Sequence, residues 1–234
     1  VSPEGKLTVR GLYTREYFRG QISKSDEKVA FQYGRLLKFA GLHPPLGPLL
    51  DVGCGAGPGL RFFEKVSVMT VGIDFVEEAL HEAASVLVRP RLVLADASQH
   101  LPFIDNCFQV VVLADVIEHI VDPLPLLQEV LRVLQPSGRL LLSTVNAWDV
   151  RRLYFPLLGR TWSGLADPTH VHLYSPPELG NLLRMAGFGE VRVKASTKPA
   201  FWVWSRRLRL RIPVPWPPLV GNGLWATAAR PAAL

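Results

Sequence analysis

Apolar residues in this chain fall into two alternating textures. Short, nearly continuous apolar runs lie at about 48–52, Val66 to Asp74, Arg91 to Ala95, Phe108 to Ala114, Arg139 to Val145, about 190–195 and about 223–229. Between them the apolar positions recur every three or four residues, the spacing of one helix face. Val29, Tyr33, Leu36, Leu37 and Ala40 mark such a face from Ser25 to Ala40, ended by Gly41 and Pro44-Pro45. A second helix is expected near 58–65, opened by Pro58, whose missing N–H is no loss in a first turn. Val76, Ala79, Leu80, Ala83 and Leu87 mark a third, with Glu77 and Glu78 in its first turn and Pro90 closing it. Leu124, Leu127, Leu131 and Leu134 follow the N-cap pair Asp122-Pro123, and Gly138 lies past their end. Ser175-Pro176-Pro177-Glu178 is a capping box for Leu179, Leu182, Leu183 and Ala186, with Gly187 as the stop.

Strands alternating with single helices imply right-handed crossovers and a parallel sheet. Val110-Val111-Val112-Leu113 and Leu140-Leu141-Leu142 show no polar alternation, so they are expected to be covered on both faces. The predicted fold is α/β, a doubly wound, mostly parallel seven-stranded sheet with helices on both faces. Its last strand is antiparallel, because the chain reverses before it.

Three stretches break the rhythm. Residues 1–24 carry Tyr13, Tyr17 and Phe18 without periodicity and read as an irregular arm or short helix. Residues 146–174 hold Trp148, Trp162 and Asp167-Pro168-Thr169-His170-Val171-His172, an expected insertion over the strand ends. Residues 198–220 are proline-rich, carry Trp202, Trp204 and Trp216, and read as a loop-rich excursion. One domain over 1–234 is expected: covering arm and helix (1–47), core (48–145), insertion (146–174) and C-terminal part (175–234).

Composition supports this picture. At 234 residues and 48% hydrophobic, the chain suits one well-buried domain. No apolar run reaches the ~18 residues of a membrane span. The start Val1-Ser2-Pro3-Glu4 lacks a signal pattern, so a soluble cytoplasmic protein is expected. Cys54 and Cys107 have no metal or redox spacing and read as small buried residues. The net charge is +6, but no acid follows Glu190, whereas Arg192, Lys194, Lys198, Arg206, Arg207, Arg209, Arg211 and Arg230 do. Basicity therefore belongs to the tail.

The candidate chemistry starts at Leu49-Leu50-Asp51-Val52-Gly53-Cys54-Gly55-Ala56-Gly57-Pro58-Gly59, where a buried strand breaks into a glycine loop that a ligand can approach closely. The dinucleotide fingerprint G-x-G-x-x-G would need glycine at 58 or 60, where Pro58 and Leu60 stand, and this disfavours a nicotinamide oxidoreductase. Acids recur at the other strand ends, at Asp74, Asp96 and Asp115, where an open parallel sheet binds its ligand. Such carboxylates can accept from ribose hydroxyls and from an adenine amino group.

The pattern Asp51-x-Gly53-x-Gly55-x-Gly57 resembles motif I of the class I S-adenosylmethionine-dependent methyltransferases. Asp74, Asp96-Ala97, Val116-Ile117-Glu118-His119-Ile120, Leu134-Gln135-Pro136-Ser137-Gly138-Arg139 and Leu182-Leu183-Arg184-Met185-Ala186-Gly187-Phe188 extend the likeness over roughly residues 30–190. It is nearest to the small-molecule enzymes of quinone biosynthesis. The resemblance implies S-adenosyl-L-methionine as cofactor and S-adenosyl-L-homocysteine as product. It implies that Gly53 and Gly55 contact the methionine part, Asp74 the ribose, and Asp96 and Ala97 the adenine, with Phe75 on the adenine face and Ala114 offering backbone. Asp51 joins this set as the acid of motif I. Arg35 aligns with a family arginine that reaches the cofactor carboxylate, although a solvated helix arginine is an equal reading of that residue.

If the acceptor carries a proton, a base is needed, and His119, His170 and His172 are the candidates. His119 at a helix start reads equally as structural. Were 170–172 extended, His170 and His172 would share a face, but with no third ligand a metal pair is not expected. Asp115-Val116-Ile117-Glu118 replaces the Asn/Asp-Pro-Pro-aromatic motif of many amino-group methyltransferases. The expected function is methyl transfer to a small-molecule acceptor, most readily at oxygen. The tail allows two further partners: RNA through cations and stacking aromatics, or a membrane surface through tryptophan and arginine. A binding module without catalysis is a further alternative.

Overall fold

The computed structural model describes residues 26–159, 161–196, 200–204, 209–213 and 221–232. The expected arm over 1–24 lies outside them. In chain order the elements are α1 (Asp26–Ala40), β1 (Leu49–Val52), α2 (Pro58–Phe63), β2 (Thr70–Asp74), α3 (Glu77–Val86), β3 (Leu92–Leu94) and β4 (Phe108–Ala114). A 3₁₀ turn at Ile117–His119 leads to α4 (Pro123–Val133), β5 (Leu134–Val145), α5 (Arg151–Tyr154), α6 (Ser163–Ala166) and α7 (Pro176–Met185). Strands β6 (Gly189–Ala195), β7 (Ala200–Trp204), β8 (Arg209–Pro213) and β9 (Gly223–Ala229) follow.

Seven strands form one sheet in the order β3-β2-β1-β4-β5-β9-β6. β3 through β5 run parallel, and β9 is antiparallel to both β5 and β6, as expected for the last strand. The order reverses between β1 and β4, which opens a crevice beyond their carboxyl ends. Period-2 geometry sends Val111 and Leu113 to one face, where they join Leu127 and Val130 of α4 and Leu179 and Leu183 of α7. Val110 and Val112 point to the other, against Leu36 and Leu37 of α1, Phe63 of α2 and Trp225 of β9. Both faces are thus covered. Cys54 is buried, and Cys107 is only half-buried.

Several boundaries move for identifiable reasons. β2 begins at Thr70 rather than Val66, because the N–H groups of Val66 and Ser67 both donate to Phe63 O (3.0 and 2.9 Å) and prolong the turn after α2. In α4 the buried residues are Leu126, Leu127, Val130 and Val133, while Leu124 and Leu131 are half-buried. Leu134 is already the first residue of β5, so the face is rotated from the expected leucine row. No loop separates α4 from β5. Instead the register shifts between Phe108 and Val110 of the neighbouring strand, and Ser137 takes φ 64°. Gly138 lies past the helix end, already inside β5; a Cβ there would lie 2.8 Å from Gln135 O and 3.0 Å from Gln109 O, where two backbones meet. The capping box of α7 forms as expected, with Ser175 N–H donating to Glu178 Oε2 (2.8 Å) and Glu178 N–H to Ser175 Oγ (3.5 Å). Within the proline-rich excursion β7 and β8 pair antiparallel, Phe201 opposite Ile212, where a loop was expected.

The insertion is held by a buried acid. Asp149 accepts from Arg151 and, at 2.7 Å, from the indole Nε1 of fully buried Trp162. At the far end of the sheet, Arg230 Nη1 donates to the carbonyls of Leu131, Arg132 and Leu134 (3.0, 2.9 and 2.5 Å), which the end of α4 leaves without helical partners. Arg230→Ala is expected to lower the unfolding free energy by about 1–3 kcal/mol, read as a shift in urea midpoint at unchanged slope.

Candidate active site

The glycine loop takes the conformation its composition demands. Gly53, Gly55 and Gly57 have φ of 69°, 53° and 80°, the left-handed region in which a side chain is strained. At Gly53 a Cβ would also stand 2.5 Å from Val116 Cγ2, so the loop packs directly on the turn after β4. Asp74 ties two strand ends together: its Oδ2 accepts from Gly55 N–H (2.8 Å) and its Oδ1 from Val76 N–H (2.9 Å). Burial raises its pKa, opposed by these hydrogen bonds. Asp51 lies in the middle of the site under Tyr33 of α1, and both crowd Gly59, where a Cβ would lie 2.8 Å from Asp51 Oδ2 and 2.9 Å from the Tyr33 hydroxyl. Burial, and then the charge of Asp74, push Asp51 up to about 7.

A cavity of about 1090 Å³ lies at the carboxyl ends of the parallel strands. Arg35, Asp51, Gly53, Gly55, Asp74, Phe75, Asp96, Ala97, Ala114, His119 and His170 all line it. Asp96 is exposed in an Asx turn, its Oδ1 accepting from Ser98 N–H (2.9 Å) and Ser98 Oγ (2.7 Å). The Arg35 guanidinium lies over Trp225 and Phe31, 5.0 and 5.2 Å from the ring centres.

His172 is not among the lining residues. The N–H groups of Val171 and His172 both donate to Glu118 O (2.9 and 3.1 Å). Successive N–H groups of a strand point to opposite sides, so the chain turns here and the extended backbone that would put His170 and His172 on one face is not formed. His172 Nε2 instead faces Val121 O at 2.9 Å, outside the cavity.

Beyond the residues given a cofactor or base role from sequence, Asp115, Glu118 and Asp167 line the cavity, and Thr169 packs against His119. Asp115 has φ 56° and accepts from Ser143 Oγ at 2.9 Å. Glu118 is buried; its Oε2 accepts from Thr144 Oγ1 (2.9 Å), and its Oε1 has no hydrogen-bond partner among the described residues. Burial, then Asp115, push Glu118 up to about 8. Burial also lowers His119, reinforced by His170 and opposed by Thr169, Asp167 and Asp115. Glu118, His119 and His170 each bring one ligand-type atom within 4.8 Å of the others, the place among the described residues where a small cation could be held. The sequence signal for Glu118 was its position directly before His119. No local signal marks Thr169.

Residues 25–192 match the methyltransferase-domain family. The chain belongs to the class I S-adenosylmethionine-dependent methyltransferases. It is 32% identical over 201 residues to the ubiquinone biosynthesis O-methyltransferase of Ruegeria pomeroyi, covering 81% of this chain and 76% of that one. To the protein of the same name from Cereibacter sphaeroides it is 30% identical over 184 residues, 74% and 71% of the two chains. A SAM-dependent methyltransferase from Aquifex aeolicus shares the fold with a TM-score of 0.63, at 20% identity over 93% and 98% of the chains.

The donor set of the methyltransferase fits its cofactor. Acceptor-only carboxylates, Asp74 and Asp96, line the same cleft as a glycine loop without Cβ atoms, and this suits hydroxyl and amino donors beside a backbone-lying chain. No phosphate cradle is required. Asp51 and Glu118 carry folded-state pKa values above their unfolded ones, so the folded protein holds protons that the unfolded chain releases. Their stabilisation is complete below about pH 4 and is lost as pH rises through 7 to 8. Glu118→Gln is expected to raise the Tm of the ligand-free protein by about 3–8 °C at pH 8.5 and to leave it unchanged near pH 4, as read by thermal scans.

Proposed function

We propose that this methyltransferase methylates a hydroxyl oxygen of a small molecule with an apolar body. The observation that carries the reading is the presence, in one cleft with the cofactor-type residues, of two imidazoles, His119 and His170. The apolar side chains Ile120, Val121, Val145 and Leu224 line the same cleft, which suits an acceptor with a hydrocarbon surface. The ubiquinone biosynthesis O-methyltransferases, similar over roughly three quarters of this chain, support oxygen as the methylated atom.

In this reading Asp74 holds the ribose, Asp96 and Ala97 the adenine against Phe75, and Gly53 and Gly55 admit the methionine part. Asp51 is the acid beneath the loop. Ala114 offers backbone, and Arg35 reaches the cofactor's carboxylate. Bound S-adenosylmethionine supplies an electrophilic methyl group on a cationic sulfur. The protein aligns the acceptor oxygen, excludes water with the insertion, and takes up the proton. The lowered pKa of His119 keeps its ring neutral at pH 7 and able to accept.

Two measurements test the proposal. Labelled-methyl transfer offered to phenols and catechols, amines, a lipid and metabolite extract and an RNA pool is expected to place label on a hydroxyl oxygen. Label in RNA or on nitrogen would overturn it. Asp74→Ala is expected to weaken S-adenosylhomocysteine binding by about 10–100-fold in calorimetry, from the loss of charge-assisted hydrogen bonds.

A further inference from the structure

Three cations gather beside α1 with no acid among them. Arg192 and Lys194 lie two residues apart on β6, the edge strand, and their cross-strand partners Thr227 and Trp225 place both on the sheet face that α1 covers. There Lys194 Nζ is 4.1 Å from the centre of the Phe39 ring and 5.4 Å from that of Trp225. Arg192 also lies over Phe39, at 5.3 Å, and gives one N–H to the Phe39 carbonyl (2.9 Å). Arg35 reaches the Trp225 ring from α1. Aromatic faces attract cations but carry no net charge, so the mutual repulsion of the three stays uncompensated. Among the described residues none of the three forms an ion pair, and the half-buried Lys194 ammonium has three donors and no acceptor. Burial, then the charges of Arg35 and Arg192, lower its pKa. No acidic side chain follows Glu190, so the tail supplies no counter-ion.

The cluster adjoins the cleft. Trp225 and Arg35 line it, and so does Ser196, next on the row of Arg192 and Lys194, where Ser196 N–H prolongs the ladder to Gly223 O (2.8 Å). Among the described residues the cleft's only lysine and arginine are Lys28 and Arg35, both on α1, and acids occupy the strand ends that face them. An anionic ligand group is therefore repelled from the strand ends and drawn to the end closed by Trp225.

We infer that Arg192 and Lys194, on the shelf made by Phe39 and Trp225, form a subsite for an oxyanion, a carboxylate or phosphate carried by the methyl acceptor. This rests on the small-molecule O-methyl reading given above. With Arg35 assigned to the cofactor's carboxylate, the pair on β6 is what remains for a second anion. Lys194 brings a point charge with three donors, and Arg192 a planar fork whose remaining N–H groups suit two oxygens. The acceptor then lies with its acid towards β6 and its hydroxyl towards the turn after β4, the apolar body between them.

The test uses the full chain loaded with S-adenosylhomocysteine, its lysines reductively ¹³C-methylated, which keeps their charge. The Lys194 signal is the one absent from Lys194→Gln. Hydroxyphenylacetate and phenyl phosphate, titrated to millimolar concentration, are expected to move that signal saturably, and the neutral amide of hydroxyphenylacetate to leave it in place. In calorimetry Lys194→Gln is expected to weaken hydroxyphenylacetate binding about 10-fold and Arg192→Gln about 3–10-fold, with amide and S-adenosylhomocysteine affinities within about twofold. Lys194→Arg keeps the charge and is expected to bind the acid within about threefold of wild type. Acid and amide moving the signal alike, no anion moving it, or either Gln variant binding the acid as wild type does, overturns the inference. Inorganic phosphate separates the sources: if it moves the signal and neither aryl anion does, the subsite serves a free anion and the inference falls. Binding to the S-adenosylhomocysteine complex needs no methyl transfer. Label on nitrogen or in RNA therefore overturns the O-methyl reading without altering this result, and equal binding of acid and amide does the reverse.

Discussion

Two carboxylates buried at the ends of adjacent parallel strands are what the rest of this structure answers to. Asp51 and Asp74 are taken out of water on β1 and β2, where burial disfavours their charge and Asp74 adds to the cost at Asp51. Asp74 is stabilised by the N–H of Val76 just after its own strand and by that of Gly55, which the loop after β1 presents by bending back through three left-handed glycines. Gly59 lacks a side chain because Asp51 and the Tyr33 hydroxyl occupy the place its Cβ would take. α1 sets Tyr33 beside Asp51, both near Gly59, while its Leu36 and Leu37 close the sheet. A folded state that tolerates such a pair fits a cationic ligand, since a positive sulfur beside the acids would offset their mutual repulsion.

The opposite wall of the cleft uses different physics. Its polar groups come from the turn after β4 and from the insertion, and they are joined by short hydrogen bonds between segments about fifty residues apart. Glu118 stitches the two, its carbonyl accepting the N–H groups of Val171 and His172 and its carboxyl bonded to Thr144. Buried polar groups with few partners are costly, so this wall is held by networks rather than by apolar contact. The division is functional. The sheet edge carries the buried acids and the glycine loop, whereas the other wall is carried partly on an insertion.

Much of this was legible in the chain because strand ends are local. An apolar run meeting an acid marks β1, β2 and the end of β4 without any knowledge of neighbours, and eleven of the twelve residues proposed from sequence line one cavity. The departures have separate causes. The α4 face was read from leucines alone, whereas Val130 and Val133 complete the buried stripe, because the sheet selects a direction and not a residue type. His172 was offered as a candidate base beside His119 and His170, and one carbonyl accepting two successive N–H groups turns the chain so that its ring faces Val121 O instead. The β7–β8 pairing was hidden by the prolines around it.

By itself the sequence determined the alternation of strands and helices, the antiparallel last strand, the glycine bend and the acids beside it. These depend on periodicity, on φ preferences and on residue order, all carried within a few positions. Only the tertiary structure decided that Glu118 is a buried acid, that Thr169 lies against His119, and that His172 faces away from the cavity. Those properties arise from desolvation and from hydrogen bonds between residues remote in the chain. Neither is encoded in any window of the sequence short enough to be read as a pattern.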